Sequence, residues 1–211
     1  MEVLQAVVAG LMGYLLGAVP VGLLVCRVQG VDPRLHGSGR TGGTNVWRAT
    51  NSIASALITG AGDILKGMIP VFAARALFPG VPLAQALAGI GAVAGHNWSV
   101  YIRFAGGAGT ATNLGVLFAL SPFTCLVVIP VSLLAFFVSR MASVASLAVA
   151  WGALVVLVLL AVTGVDLNPF VAKQSALDQV IYGLGQAALV TYALRPNIGR
   201  LLRGEERRVE Y

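Results

Sequence analysis

Polar positions along this chain are few and gathered in short groups, separated by long apolar runs with very few charged residues. Residues 3–26, 52–78, 82–101, 142–164 and 177–194 are predominantly apolar, and each run suits the roughly 20 residues that a helix needs to cross a bilayer. They predict five crossings. Residues 112–139 are apolar too, but Ser121 and Pro122 interrupt them, and a proline inside a helix removes a backbone hydrogen bond. Glycines inside the runs, as in GLMGYLLG, predict helices packed closely on small residues.

The arginines orient these segments. Arg27, Arg34, Arg40 and Arg48 fall in the first connection and Arg103 in the third. Arg140 follows the interrupted stretch, and Arg195, Arg200, Arg203, Arg207 and Arg208 occupy the end. By the positive-inside rule all four regions face the cytoplasm. Arg75 and Lys173 stand near the expected external ends. Keeping both Arg103 and Arg140 inside demands an even number of crossings between them, while the residues of 112–139 reach only about 42 Å as one helix. The chain is therefore expected to be an all-α integral membrane protein of seven transmembrane segments. Two of these are short or broken at Ser121-Pro122, with a re-entrant pair as the alternative. Residues 1–211 form a single transmembrane domain, with a basic cytoplasmic tail at 195–211, the N-terminus outside and the C-terminus inside.

Composition agrees with that class. Of 211 residues, 57% are hydrophobic and 10% charged, with a mean hydropathy of +0.86, which no ordinary soluble core accounts for. The formal charge of +6 is spread between apolar runs as topology signals are, so no nucleic-acid partner is expected; the partner is the lipid bilayer. Cys26 and Cys125 lie in apolar runs without metal-ligand spacing and are expected to be small buried hydrophobes. The opening MEVLQAVVAG has no basic region before its apolar run, which is too long for a signal-peptide core and is expected to remain as the first span.

Chemistry concentrates in the polar groups. In residues 37–45, GSGRTGGTN, glycines allow successive backbone N–H groups to converge on an anion. Ser38, Thr44 and Asn45 add neutral donors, and Arg40 and Arg48 add charge. Phosphate is the natural guest; a flexible linker with topological arginines is the other reading. A second glycine stretch, residues 103–113, RFAGGAGTATN, leads into a helix whose first N–H groups would favour an anion. Close helix packing is its alternative. Asp63 and Lys66 share a helical face in an apolar run, where charges either pair or mark a substrate path, and Gly67 and Pro70 would permit a local break there. His96 would bind an anion, move a proton or anchor the interface.

Taken together, GSGRTGGTNVWR, DILKGMIP, GHNWSVYIRFAGGAGTATNLGVLFALSP and RPNIGRLLRGEE, in this order, resemble the bacterial acyl-phosphate:glycerol-3-phosphate acyltransferases of the PlsY type over nearly the whole chain. The resemblance implies seven spanning helices in the bacterial inner membrane. It also implies transfer of a fatty acyl group from acyl phosphate to glycerol 3-phosphate, giving lysophosphatidic acid in phospholipid synthesis, with no metal or nucleotide cofactor. The family's first motif, GSGN-x-GATN-x-x-R, falls on Gly37, Ser38, Gly39, Gly42, Thr44, Asn45 and Arg48, with Arg40 in place of the asparagine of GSGN. The resemblance makes Ser38 and Arg48 catalytic positioners, with Asn45 a polar partner. Where the second motif reads F-K-GGKG-V-AT, the glycines remain as Gly106, Gly107 and Gly109 and both lysines are absent. Where the third reads H-R-E-N, Arg195 and Asn197 remain and Leu194 and Pro196 replace the histidine and glutamate. Arg40, Arg103 and Arg195 are the candidates to supply the lost phosphate contacts, and Lys66 and His96 complete the expected substrate-binding set. A catalytically silent or acceptor-altered relative that binds phospholipid or acyl phosphate is the alternative function, and a transporter the third.

Overall fold

The structure, a computed structural model, describes residues 1–167 and 175–209; Lys173 lies outside them. The first apolar run is two helices, α1 (Glu2–Gly17) and α2 (Val21–Arg27), divided because Pro20 has no N–H to continue the ladder. The carbonyls exposed at the break are taken up from elsewhere in the fold. Ser99 Oγ donates to Ala18 O at 2.5 Å and Lys66 Nζ to Val19 O at 2.8 Å.

A short helix, α3 (Gly43–Thr50), precedes α4 (Ile53–Leu77). The local break that Gly67 and Pro70 would permit does not occur, and α4 runs through both. Gly67 serves contact instead: a methyl there would lie 2.1 Å from Thr112 O, and one at Gly115 2.0 Å from Ile64 O. Helix α4 and the later helix α6 (Thr110–Leu120) therefore touch backbone to backbone, as small residues permit. The same device joins α1 to α5 (Pro82–Asn97), where a methyl on Gly13 would meet Ala88 O at 2.1 Å and one on Gly95 would meet Tyr14 O at 2.1 Å.

After α5 the chain makes a brief excursion closed by a bridge between Ser99 and Ala105, then returns so that Gly107 N donates to His96 O at 3.0 Å. This return lets α6 (Thr110–Leu120) begin beside the end of α5 rather than beyond it. The interrupted run divides where Ser121-Pro122 predicts, into α6 and α7 (Pro122–Ser139). At about 1.5 Å per residue α6 is roughly 16 Å long, and its terminal carbonyl at Ala119 is capped by the Arg75 guanidinium at 2.6 Å. Helices α8 (Ala142–Thr163), α9 (Ala176–Ala193) and α10 (Arg195–Leu202) complete the fold.

Among the described residues, Glu2–Arg27, Ile53–Leu77, Pro122–Ser139 and Ala142–Thr163 are long and apolar enough to cross a membrane. Their outward faces carry large apolar side chains such as Leu126, Leu134, Phe137 and Val155. Between the helices a buried polar network replaces oil. Asn113 donates to Gln186 Oε1 at 2.8 Å, Tyr182 donates to Asn113, and Gln186 donates to Ala150 O at 2.7 Å. It ties α6, α8 and α9 together at fixed register, because each buried polar atom left unpaired would cost about 1–3 kcal/mol.

Candidate active site

The glycine loop folds around one side chain. Asn45 is buried; its Nδ2 donates to Pro33 O at 2.7 Å, His36 O at 3.1 Å and Arg40 O at 2.7 Å, while its Oδ1 accepts from Ser38 N at 2.9 Å. Gly37 passes so close that a methyl on it would stand 2.3 Å from Asn45 Oδ1, and it holds a φ of +52°, which glycine adopts without strain. Ser38 is thereby fixed at the rim while, among the described residues, no hydrogen bond is made by its hydroxyl.

Arg40 joins this loop to two others. Its guanidinium donates to Gly107 O at 3.0 Å, to Ala193 O at the end of α9 and to Asn197 Oδ1 at 3.1 Å, and Thr41 N donates to Gly106 O at 3.3 Å. Burial lowers the Arg40 pKa, as does the nearby Arg200 charge, while Glu206 raises it; an arginine stays protonated regardless.

Together these segments enclose a cavity of about 300 Å³. Ser38, Gly42, Thr44, Asn45 and Arg48 line it from the first loop and α3; Asp63 and His96 from α4 and α5; Gly109, Thr110 and Ala111 from the start of α6. Ala142 and Ser143 at the start of α8, and Asn197 in the first turn of α10, complete the ring. Four helices thus present their N-terminal ends to one space, where unpaired N–H groups and the helix dipole favour negative charge.

On the inner wall, Lys66 Nζ lies 2.9 Å from Asp63 Oδ1, and His96 Nδ1 lies 3.5 Å from the same oxygen. Lys66 is occupied by Asp63 and Val19 O, and the cavity lining includes Asp63 and His96 rather than Lys66. Gly106 and Gly107 pack against α5: a methyl on Gly106 would meet His96 O at 2.2 Å, and one on Gly107 would meet His96 Nε2 at 2.0 Å.

The other expected residues sit apart. Gly39 turns the loop outside the lining, at a φ of +70°. Arg103 is exposed on the excursion after α5, and Arg195 is exposed with its guanidinium over the Tyr192 ring, 4.3 Å from the centroid. Neither lines the cavity; Arg40 does.

Sequence reasoning missed Glu206. The tail turns back over the mouth, and this carboxylate is buried there. It accepts from Ser143 Oγ at 2.8 Å, Asn197 Nδ2 at 2.6 Å and Arg200 Nε at 2.9 Å. Burial raises its pKa, but those hydrogen bonds, with the Arg200 charge, outweigh burial and hold it below the ordinary carboxylate value. Ser143 and Ser146 are a further omission. Their spacing of three at the start of an otherwise apolar helix, next to Arg140, is the signal that would have placed them on the polar face.

Residues 7–204 match the family model described as glycerol-3-phosphate acyltransferase. A protein named glycerol-3-phosphate acyltransferase from Rubrobacter xylanophilus is 42% identical over 94% of this chain and 92% of its own length. One of the same name from Desulforudis audaxviator is 38% identical over 95% and 93%. The crystal structure of PlsY, an integral membrane glycerol 3-phosphate acyltransferase, in its glycerol 3-phosphate form, superposes with a TM-score of 0.82 at 33% identity, covering 97% of this chain and 96% of that one. Its lysophosphatidic acid form gives 0.80 at 32%. With its sequence matched over residues 7–204 and its fold shared, this chain belongs to the glycerol-3-phosphate acyltransferase family of integral membrane proteins.

Proposed function

We propose that this protein transfers a fatty acyl group from acyl phosphate to glycerol 3-phosphate, forming lysophosphatidic acid and inorganic phosphate. The observation that carries the reading is the convergence of four helix N-termini and Arg48 on one cavity, an environment built for phosphorylated substrates. The glycerol 3-phosphate and lysophosphatidic acid forms of the PlsY neighbour support the same substrate and product.

Chemically the demand is modest. An acyl phosphate carries a good leaving group, so the reaction needs alignment of the acceptor hydroxyl with the acyl carbon and stabilisation of developing negative charge. The hydroxyl oxygen attacks the carbonyl carbon, the bond from that carbon to the phosphate oxygen breaks, and a phosphate oxygen takes the hydroxyl proton. Ser38 and Arg48 position phosphate groups, and Gly42, Gly43 and Thr44 offer backbone donors beside them. Arg40 acts by locking the first loop to Gly107 and Asn197. Direct transfer is favoured over a serine intermediate because Ser38 has no hydrogen-bonded base among the described residues.

The protein is a multi-pass protein of the bacterial cytoplasmic membrane with seven crossings, its N-terminus outside and its C-terminus in the cytoplasm. Hydrogen bonds that join residues 40, 107, 193 and 197, and Arg140 O to Val209 N, support one arginine-rich cytoplasmic face carrying the site. The test is purified protein supplied with acyl phosphate and glycerol 3-phosphate. Acceptor-dependent release of inorganic phosphate together with lysophosphatidic acid is expected, and saturable binding without product would overturn the reading.

A further inference from the structure

The cavity holds three arginines, Arg40, Arg48 and Arg207, and two carboxylates, Asp63 and Glu206. Most of these charges are already committed. Asp63 is engaged by Lys66, Glu206 by Ser143, Asn197 and Arg200, and Arg40 by three oxygen acceptors. Arg48 and Arg207 differ: among the described residues neither guanidinium makes a hydrogen bond or ion pair. They line one cavity from different segments, α3 and the tail, and are near enough that the Arg207 charge, after burial, lowers the Arg48 pKa while Glu206 raises it.

The tail around Arg207 is held on both sides. Glu206 is 8% exposed and takes its three hydrogen bonds. Val209 is 4% exposed and its N–H donates to Arg140 O at 2.7 Å. Two anchors three residues apart fix the backbone between them, so Arg207 is aimed at the cavity mouth by the fold. Arg207 and its neighbour Arg208 are both exposed, and only Arg207 lines the cavity. Two like charges brought to one cavity, neither in an ion pair with a carboxylate among the described residues, repel each other until an anion enters. A forked guanidinium on each side suits the several oxygens of a phosphate group.

We infer that Arg207 is a substrate-binding residue supplied by the C-terminal tail, which with Arg48 grips a phosphate group of one of the two phosphorylated substrates. The inference rests on the reading of the cavity as a phosphate site. It supplies, from the opposite end of the chain, charge that the glycine loop before α6 does not bring to the cavity lining.

Full-length wild-type protein, Arg207→Gln, Arg207→Lys and Arg208→Gln separate this role from the general charge of the tail. In detergent, calorimetric titration with glycerol 3-phosphate and with inorganic phosphate measures binding without turnover. Steady-state acyl transfer gives KM for each substrate in turn. Loss of one charged phosphate contact predicts that Arg207→Gln weakens binding of a phosphate species, or raises one KM, by about tenfold or more. On this account kcat changes little, Arg207→Lys retains most of the affinity, and Arg208→Gln stays within about twofold of wild type. A rise confined to glycerol 3-phosphate assigns Arg207 to the acceptor, and one confined to acyl phosphate assigns it to the donor. Unchanged binding and KM in Arg207→Gln, or an equal loss in Arg208→Gln, overturns the inference. A wild-type protein that binds phosphate without transferring acyl groups defeats the acyltransferase reading alone, and the titration still decides Arg207.

Discussion

The Arg40 guanidinium donates to Asn197 Oδ1 at 3.1 Å, joining residues 157 positions apart. Asn197 in turn donates to Glu206, so one chain of contacts runs from the first glycine loop through α10 to the folded-back tail. These cross-links close the site between segments far apart in sequence, and its stability depends on them.

Asn45 is the side chain whose loss disturbs the first loop most. Asn45→Ala removes three donated bonds and one accepted bond, at a cost of about 2–6 kcal/mol for two carbonyls left unpaired. Thermal unfolding in detergent should show a clear drop in Tm. Asn45→Asp, which keeps the acceptor and loses the donors, should be destabilised as well.

Glycines that touch backbone must differ from those in open contact. Gly106→Ala would place a methyl 2.2 Å from His96 O and 2.4 Å from Asn97 O, whereas at Gly152 the nearest atom is Val128 Cγ1 at 3.5 Å. Gly106→Ala should cost upwards of about 1–3 kcal/mol and abolish transfer, while Gly152→Ala should match or exceed wild-type stability, since alanine is the better helix former by about 1 kcal/mol. Comparison of expression, Tm and rate checks both.

Most of the fold was legible in the sequence because apolar run length and proline position act locally. Pro122 ends one helix and starts the next without reference to any distant residue. The Gly67-Pro70 region was not legible, because whether a glycine breaks a helix or seats a neighbour depends on what lies across from it. At the site, the first loop announces itself by its glycines. Arg40, Arg103 and Arg195 carry the same charge in sequence, and loop geometry alone turns the first inward and the others outward. Glu206 was hidden for the same reason: a carboxylate among arginines in a terminal stretch reads as solvated until the chain is seen to fold back.

The tail gives a pH signature. Glu206 has a folded-state pKa below its ordinary value, so its contribution is fully present above the unfolded carboxylate pKa and is lost as pH falls through the lower folded value. Acidification should therefore release the tail, and its cleavage should accelerate as pH falls through that lower value, read with an acid-active protease at low pH and a trypsin-like one at neutral pH. Glu206→Gln should be cleaved quickly at neutral pH and lose that acid-dependent increase.

Sidedness is checked by single cysteines at exposed positions in a background lacking Cys26 and Cys125. Leu35, Arg103 and Arg203 should label from the cytoplasmic side of sealed vesicles, and Pro79 and Val165 from the other. Labelling of positions 35 and 103 from opposite sides would separate the two glycine loops and dissolve the shared cavity.

The central claim is that Arg48 and the helix ends around it hold phosphate while acyl transfer occurs, and steady-state kinetics of Arg48→Ala and Ser38→Ala test it most directly. With acyl phosphate and glycerol 3-phosphate, kcat/KM should fall by at least about tenfold for Arg48→Ala and measurably for Ser38→Ala, in protein whose Tm is unchanged. Wild-type rates in both variants would contradict the account.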